Sequence, residues 1–490
     1  MNPVFLLIVI LLPIVGSLFI MLPFKSSRTR NIYTEILVCL TSALAWYLLL
    51  HRPSSSVELF QFSNSLHVSL QLDDAGAVFT AIIATLWPLA VLYSFEYMEH
   101  EEHIPSFFLF YTMTYGITLG IALSENLVTM YFFYEMLTLV TLPLVIHERS
   151  KEAIRAGRVY IYYSLGGAAF AFIGMIFILN YGNTLSFIPG GVMNSTLLEG
   201  QTNLMLLIYV MTFCGFSVKA AMFPFCAWLP KAGVAPTPVT ALLHAVAVVK
   251  AGAFAVIRLT YYSIGTDFLR GTWAQTLVMC LTLITILYGS TRALKETHIK
   301  RRFAWSTVSN LSYILFGATV MTSAGLVGAF SHMIFHALMK ICCFFVAGSI
   351  ICKTGREYIF QLDGFAKKMP RLFAIFTVSA CALIGVPGLC GFISKWYLAK
   401  AAFDTEKPLP IIGVGVLLIS AILTAIYMLT IWMRAYFPGK NFDYNTISDV
   451  KDPSWVMLLP LTVFAVLMVV FGLNATPIIN YLTNTFTMFG

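Results

Sequence analysis

The sequence predicts an all-α polytopic membrane protein of about fourteen transmembrane helices, and three observations carry that prediction. Of 490 residues, 59% are hydrophobic and only 11% are charged, less than half of the about 25% charge that soluble domains carry. Apolar stretches near the ~20 residues a bilayer demands recur along the whole chain. The basic residues between them sort by side.

The stretches lie at 3–24, 31–50, 75–95, 105–124, 127–147, 159–181, 203–224, 238–258, 273–291, 303–322, 324–351, 371–399, 409–433 and 455–474. The first has its positive charge behind the apolar run rather than in front, so a spanning helix is expected there and not a cleavable leader. Between the second and third, SVELFQFSNSLHVSLQLDD alternates apolar and polar residues around an Asn-Ser centre, which predicts a short surface β-hairpin near 56–72.

Placing the loop KSSRTR in the cytoplasm and alternating sides puts 21 basic residues on that side, against Arg52, Arg258, Arg270, Lys400 and Lys407 on the other. One missed span would scramble that ratio. The expected protein is therefore a multi-pass protein of the plasma membrane with both termini on the outer side. The net charge of +8 reads as this sorting between loops, and no nucleic-acid partner is expected. The nine cysteines form no CxxC pair and no grouped spacing for a zinc or iron–sulfur site, so they read as reduced and space-filling. No cofactor and no metal is expected.

Lys219, Lys250, Lys340 and Lys395 fall inside the spans, as does Glu135. Each ionisable group at mid-membrane depth costs about 2.5–3.5 kcal/mol on insertion scales, which water, partners or a function must offset. A desolvated lysine exchanges its proton near neutral pH, and a neighbouring carboxylate restores the charged form. A two-unit shift is worth about 2.7 kcal/mol, against about 2.3 kcal/mol to lift one charge through 100 mV. Coupled pairs of this kind suffice to drive a proton uphill, whereas a static salt bridge between helices is the bland alternative for any single pair.

In SHMIFHALMKICC, His332, His336 and Lys340 recur at i, i+4 and i+8, which places them within about 80° on one helical face over about 12 Å. A proton relay, packing histidines and a zinc pair are the competing readings. The zinc reading lacks an HExxH glutamate and a third ligand. His244 precedes Lys250 by six residues, about 120° around a regular helix, so both reach one narrow path only with water or helix distortion. Lys219 lies in GFSVKAAMFPFCAWLP, followed by APTP, and Lys395 in GVPGLCGFISKWYL. Broken helices in two halves of a transporter mark ion paths, because unwound backbone and half-helix ends bind charge.

At these residues the chain resembles the antiporter-like family shared by the large proton-pumping subunits of respiratory complex I, membrane-bound hydrogenases and Mrp-type cation/proton antiporters. The matching segments are YFFYEMLTLVTLPL, FSVKAAMFPFCAWLPKAGVAPTPVTALLHAVAVVKAG, HIKRRFAWSTVSN, HMIFHALMK and GVPGLCGFISKWYL, in the family's order, over about residues 70–435. The resemblance implies two inverted five-helix repeats, helices 4–8 and 9–13, with discontinuous helices 7 and 12. The chain then divides into 1–100 with the hairpin, a half-channel at 104–260, a second at 270–435, and a loop with helix 14 at 436–490. It also implies that Glu135 pairs with Lys219, that Lys250 is the central lysine with His244 beside it, that His332, His336 and Lys340 connect, and that Lys395 is the terminal site. The C-terminal end resembles the shorter subunits that lack a long lateral helix. Lysine at 395 resembles antiporter and hydrogenase members, and a charge of either sign is expected to be tolerated there better than leucine. His298 and Asn310 depart from the family's usual residues, and the segment 231–236 is shortened; these bear on proton admission near Lys231 and on the link through helix 10.

Three functions compete. The first is a proton-translocating subunit of a redox-driven respiratory or hydrogenase complex, with no redox centre of its own because the sequence has no GxGxxG after a strand, no P-loop and no haem CxxCH. The second is a subunit of a multi-subunit Mrp-type sodium/proton antiporter. The third is a structural membrane anchor. The first two imply further membrane and peripheral subunits as partners, and protons, with sodium as the other candidate, as the ions moved.

Overall fold

The computed structural model describes residues 3–489 apart from 54, 64, 65 and 441. The described residues form fourteen helical spans in the expected order. Spans 1 to 6 are Val4–Leu18, Ser27–Leu50, Asp74–Tyr97, Ile104–Ala122, Leu127–Val145 and Lys151–Tyr181. Span 7 is Thr202–Ser217 followed, after a break, by short turns to Lys231, and span 8 begins at Thr237. Spans 9 to 11 are Trp273–Lys295, Ile299–Val320 and Ser323–Thr354. Span 12 is split into Pro370–Ile384 and Cys390–Phe403, and spans 13 and 14 are Pro408–Tyr436 and Trp455–Leu473. Eleven of the helices are long and apolar enough on their own to cross a membrane.

Polar residues at the loop ends set where several spans begin. Ser26, Asp73, Asn126, Ser150, Thr272, Thr322 and Ser454 each accept a backbone N–H from the first turn of the helix that follows, satisfying a donor that has no partner inside the helix. The hairpin pairs Val57–Ser63 with Leu66–Leu70 in antiparallel fashion. Its Asn64-Ser65 centre lies outside the described residues. The Asn126 side chain fastens it to span 5, donating to the His67 carbonyl at 3.1 Å and to the Ser69 hydroxyl at 2.9 Å.

Burial separates an inner set of spans from an outer set. The most apolar windows of spans 8 and 11 are 100% and 89% buried, whereas that of span 13 is 28% buried, so spans 8 and 11 face protein and span 13 faces outward. Span 10 explains the same division from its sequence. IKRRFAWSTVSNLSYILFGATV is too polar to face lipid, yet every residue but Arg301 is buried among neighbouring helices.

The expected discontinuities in spans 7 and 12 fall at Val218–Pro224 and Gly385–Leu389. Backbone groups freed by the first break find partners: Trp228 Nε1 donates to the Val218 carbonyl at 2.8 Å, and the Thr285 hydroxyl accepts from Phe223 N at 3.0 Å. Irregular backbone at this depth is viable only when satisfied inside the protein.

Span 8 departs from the expected continuous helix. It is helical over Thr237–Ala245 and Val248–Ile257 and then π-helical over Arg258–Ile264, with Val246 and Ala247 outside helical geometry. Both the Val246 and Ala247 N–H groups bond to the Leu242 carbonyl, at 3.1 and 2.9 Å. Arg258 also departs from its assignment to a loop. It is fully buried at the start of the π-helical segment of span 8, paired with Asp73 and stacked against Phe187, Phe254 and Tyr262 at 4.7, 4.9 and 4.7 Å. The carboxylate and the three rings make that depth tolerable for a guanidinium. All nine cysteines are free.

Candidate functional site

The break in span 7 delivers Lys219 to span 5. Its side chain is 1% exposed, and Nζ lies 3.8 Å from Oε1 of Glu135, which is partly exposed. The amine donates to the Tyr134 carbonyl and lies 3.3 Å from the centroid of the Tyr134 ring. A cation over a ring in a desolvated setting is held by the ring's negative face. Nothing in the sequence marks Tyr134 for this contact, because a backbone carbonyl carries no residue-type signal and its ring is one aromatic among several in YFFYEML.

Span 8 meets this break at Gly252. A Cβ there would come within 2.5 Å of Ala220 N and 2.9 Å of the Lys219 carbonyl carbon, so only glycine lets the two backbones approach this closely. One half-turn earlier on the same helix, Lys250 is fully buried and its amine meets Nδ1 of His336 on span 11.

From His336 the contacts continue along span 11. The rings of His332 and His336 are 5.6 Å apart, and His332 Nδ1 is 2.9 Å from the Ser394 hydroxyl. Ser394 precedes Lys395 just after the break in span 12. The Lys395 amine donates to the Leu383 and Ile384 carbonyls at 2.7 and 2.9 Å, the last carbonyls of the first half-helix, where the helix dipole favours a cation. Tyr313 of span 10 sits beside both ends of this link, 5.2 Å from the His332 ring and 5.6 Å from the Lys395 amine.

Lys340 shares the helical face of His332 and His336 but turns to span 10. Its amine donates to the Ser306 hydroxyl at 2.7 Å and to the Phe303 carbonyl at 3.2 Å, and Ser306 is 2.6 Å from the Tyr427 hydroxyl. His244 lies against Phe344, one turn beyond Lys340, with ring centroids 4.8 Å apart. It lies in the regular segment of span 8 just before the distortion.

The structure thus brings Glu135 to Lys219, and Lys250, His336 and His332 to the residue before Lys395. Between Lys219 and Lys250 the described residues give backbone packing at Gly252. Among the described residues, three buried polar atoms on this row, Glu135 Oε1, Ser217 Oγ and His336 Nε2, have no hydrogen-bond partner. Unfilled capacity of this kind is what ordered water serves in protein interiors. Among the described residues, no cluster of three or more His, Cys, Asp or Glu side chains is arranged to hold a metal.

At the loop end of the same spans, Lys231 is exposed, whereas Lys300 is buried with its amine on the Ala235 carbonyl at 3.1 Å. Lys300 therefore occupies the place toward which the sequence pointed with Lys231. His298 pairs with Glu357 at 3.2 Å; burial lowers its proton affinity more than Glu357 raises it. Burial likewise raises the carboxyls of Glu101 and Glu148 on the adjoining loops, with Lys300 opposing both. Asn310 is buried within span 10, its Nδ2 donating to the Ser306 carbonyl at 2.8 Å.

Residues 124–433 match the family described as NADH:quinone oxidoreductase/Mrp antiporter, TM, and residues 60–108 match NADH-Ubiquinone oxidoreductase (complex I), chain 5 N-terminus. The chain is 30% identical over 430 residues to Na(+)/H(+) antiporter subunit A1 of Staphylococcus haemolyticus, covering 83% of this chain and 52% of that one. It is 29% identical over 434 residues to the protein of the same name in Staphylococcus aureus strain MRSA252, covering 83% and 53%. The chain spans about half the length of the curated relatives it matches. Two solved assemblies contain a chain of the same fold. One is the membrane-bound sulfane sulfur reductase, an archaeal respiratory membrane complex, with a TM-score of 0.85 at 21% identity over 99% of this chain and 97% of that chain. The other is the Mrp complex from Dietzia sp. DQ12-45-1b, with a TM-score of 0.82 at 20% identity and the same coverage.

Proposed function

Because the chain belongs to the NADH:quinone oxidoreductase/Mrp antiporter transmembrane family, we propose that it is a proton-translocating subunit of a multi-subunit membrane complex. The observation that carries this reading is the Lys250–His336 contact at full burial, continued by His332 and Ser394 to Lys395. Among the described residues the Lys250 amine meets an imidazole nitrogen and no carboxylate pairs with it, so the proton passes between two bases of adjustable affinity.

In this reading Glu135 controls the charge of Lys219, and Lys250 is the central carrier. His244, His332, His336 and Lys340 are the connecting groups, and Lys395 is the terminal site. The two half-channels are residues 104–260 and 270–435; the breaks in spans 7 and 12 each have a lysine at or just after them, which supports a repeated plan. The plasma membrane is the proposed location, with the KSSRTR loop in the cytoplasm and both termini outside.

Exchange of sodium for protons is favoured as the driving process by the antiporter subunits among the relatives. Redox drive by partner subunits is the other reading, in line with the respiratory assembly that shares the fold. Purified complex in vesicles separates them: a sodium pulse that moves protons without an electron donor supports exchange, and proton movement only with a donor supports redox drive. A complex that moves no protons under either condition overturns the proposal.

A further inference from the structure

We propose that the cleft between spans 2, 3 and 14, at their loop ends, binds a phospholipid whose head group carries a primary amine. The cleft has a volume of about 760 Å³ and is lined by Arg28, Arg30, Glu35, Glu96, Glu99 and Ser454. Glu96 is already satisfied, with Lys353 Nζ at 2.6 Å and the Ser454 hydroxyl donating to it.

The other charges are only partly satisfied among the described residues, Arg30 also lying 5.7 Å from the centroid of the Phe108 ring. Arg30 is 8% exposed and its Nε has no hydrogen-bond partner, while Nη2 donates to Asn31 Oδ1 at 3.1 Å. Glu35 accepts a 3.5 Å bond from the Cys39 thiol on Oε1, and its buried Oε2 has no partner. Among the described residues, no ion pair joins Arg28 or Arg30 to Glu35 or Glu99. Two guanidiniums and two carboxylates held apart around one cleft match a ligand that carries both signs.

The surroundings select a lipid over a soluble zwitterion. Ile32 and Ile36 on span 2 are 50% and 62% exposed, and Val456 and Leu459 on span 14 are 40% and 49% exposed. These residues form apolar tracks that lead from the cleft along the outer face, and Trp455, between the lining residues Ser454 and Val456, is 65% exposed, as amphipathic rings are at the membrane interface. A phosphate takes the guanidinium forks. A primary ammonium offers three N–H donors to the carboxylates; a choline head group offers none, and a glycerol head group carries no positive charge.

The test is native mass spectrometry of the purified complex released from vesicles of equal phosphatidylethanolamine, phosphatidylcholine and phosphatidylglycerol. A photoreactive residue at Asn31 reports what occupies the cleft. Phosphatidylethanolamine retained on this subunit at least tenfold over the other two, and captured from position 31, is expected. Glu99→Gln, at an exposed position that leaves the fold untouched, weakens that preference, and Glu35→Gln with Glu99→Gln abolishes it. Equal retention of the three lipids, a preference unchanged in the double variant, or capture of a polypeptide from position 31 overturns the proposal, the last by making the cleft a subunit interface.

Discussion

The Lys219 amine lies 3.8 Å from the Glu135 carboxylate, within ion-pair reach but beyond a hydrogen bond, while it donates instead to the Tyr134 carbonyl. The pair is therefore loose. The carboxylate can swing away without breaking a hydrogen bond, and the lysine keeps a neutral partner when it does. An ion pair that served only to fasten spans 5 and 7 would be expected to close fully, since a buried pair repays its desolvation only with good geometry.

Glu135→Gln is expected to slow proton translocation by the assembled complex at least tenfold, about 1.4 kcal/mol in the barrier, with Glu135→Asp in between. The check is a pH-sensitive dye in vesicles containing the complex. A static role predicts the opposite pattern, with a lowered melting temperature and undiminished transport.

Gly252→Val is expected to destabilise the protein by about 1–3 kcal/mol through overpacking. The atoms its Cβ would strike are the backbone of Ala220 and Lys219, which cannot rotate aside. Thermal unfolding in detergent measures this, and transport should fall together with it because the displaced segment carries Lys219.

Lys395 changes an expectation drawn from the sequence. With its amine on two carbonyls at the end of a half-helix, Lys395→Glu would set carboxylate oxygens against carbonyl oxygens. Lys395→Glu and Lys395→Leu are therefore both expected to lose transport, and Lys395→Arg to retain part of it. Transport in Lys395→Glu near that of the unaltered protein would show that the half-helix end rearranges for an acid.

Much of this was legible in the sequence, for physical reasons that differ by element. Spans announce themselves because lipid demands long apolar runs, and the breaks at Lys219 and Lys395 were marked by Pro and Gly. The distortion between Ala245 and Val248 has no Pro or Gly to mark it in HAVAVV, and only the six-residue spacing of His244 and Lys250 hints at it. Arg258 and Lys300 lie beside the ends of apolar runs, where loops are expected; Asp73 with three aromatic rings, and the Ala235 carbonyl, show what their burial rests on. Lys340 shares a helical face with His336, as its spacing required, but its amine is directed to Ser306 by a neighbour that no local periodicity reports.

The most direct measurement is proton movement by vesicles containing the assembled complex with Lys250→Ala. The amine against His336 is the group through which every proposed transfer between the two halves passes. Loss of proton movement to the background of empty vesicles, with subunit assembly and melting temperature retained, is the predicted result. Undiminished proton movement in that variant would contradict the account.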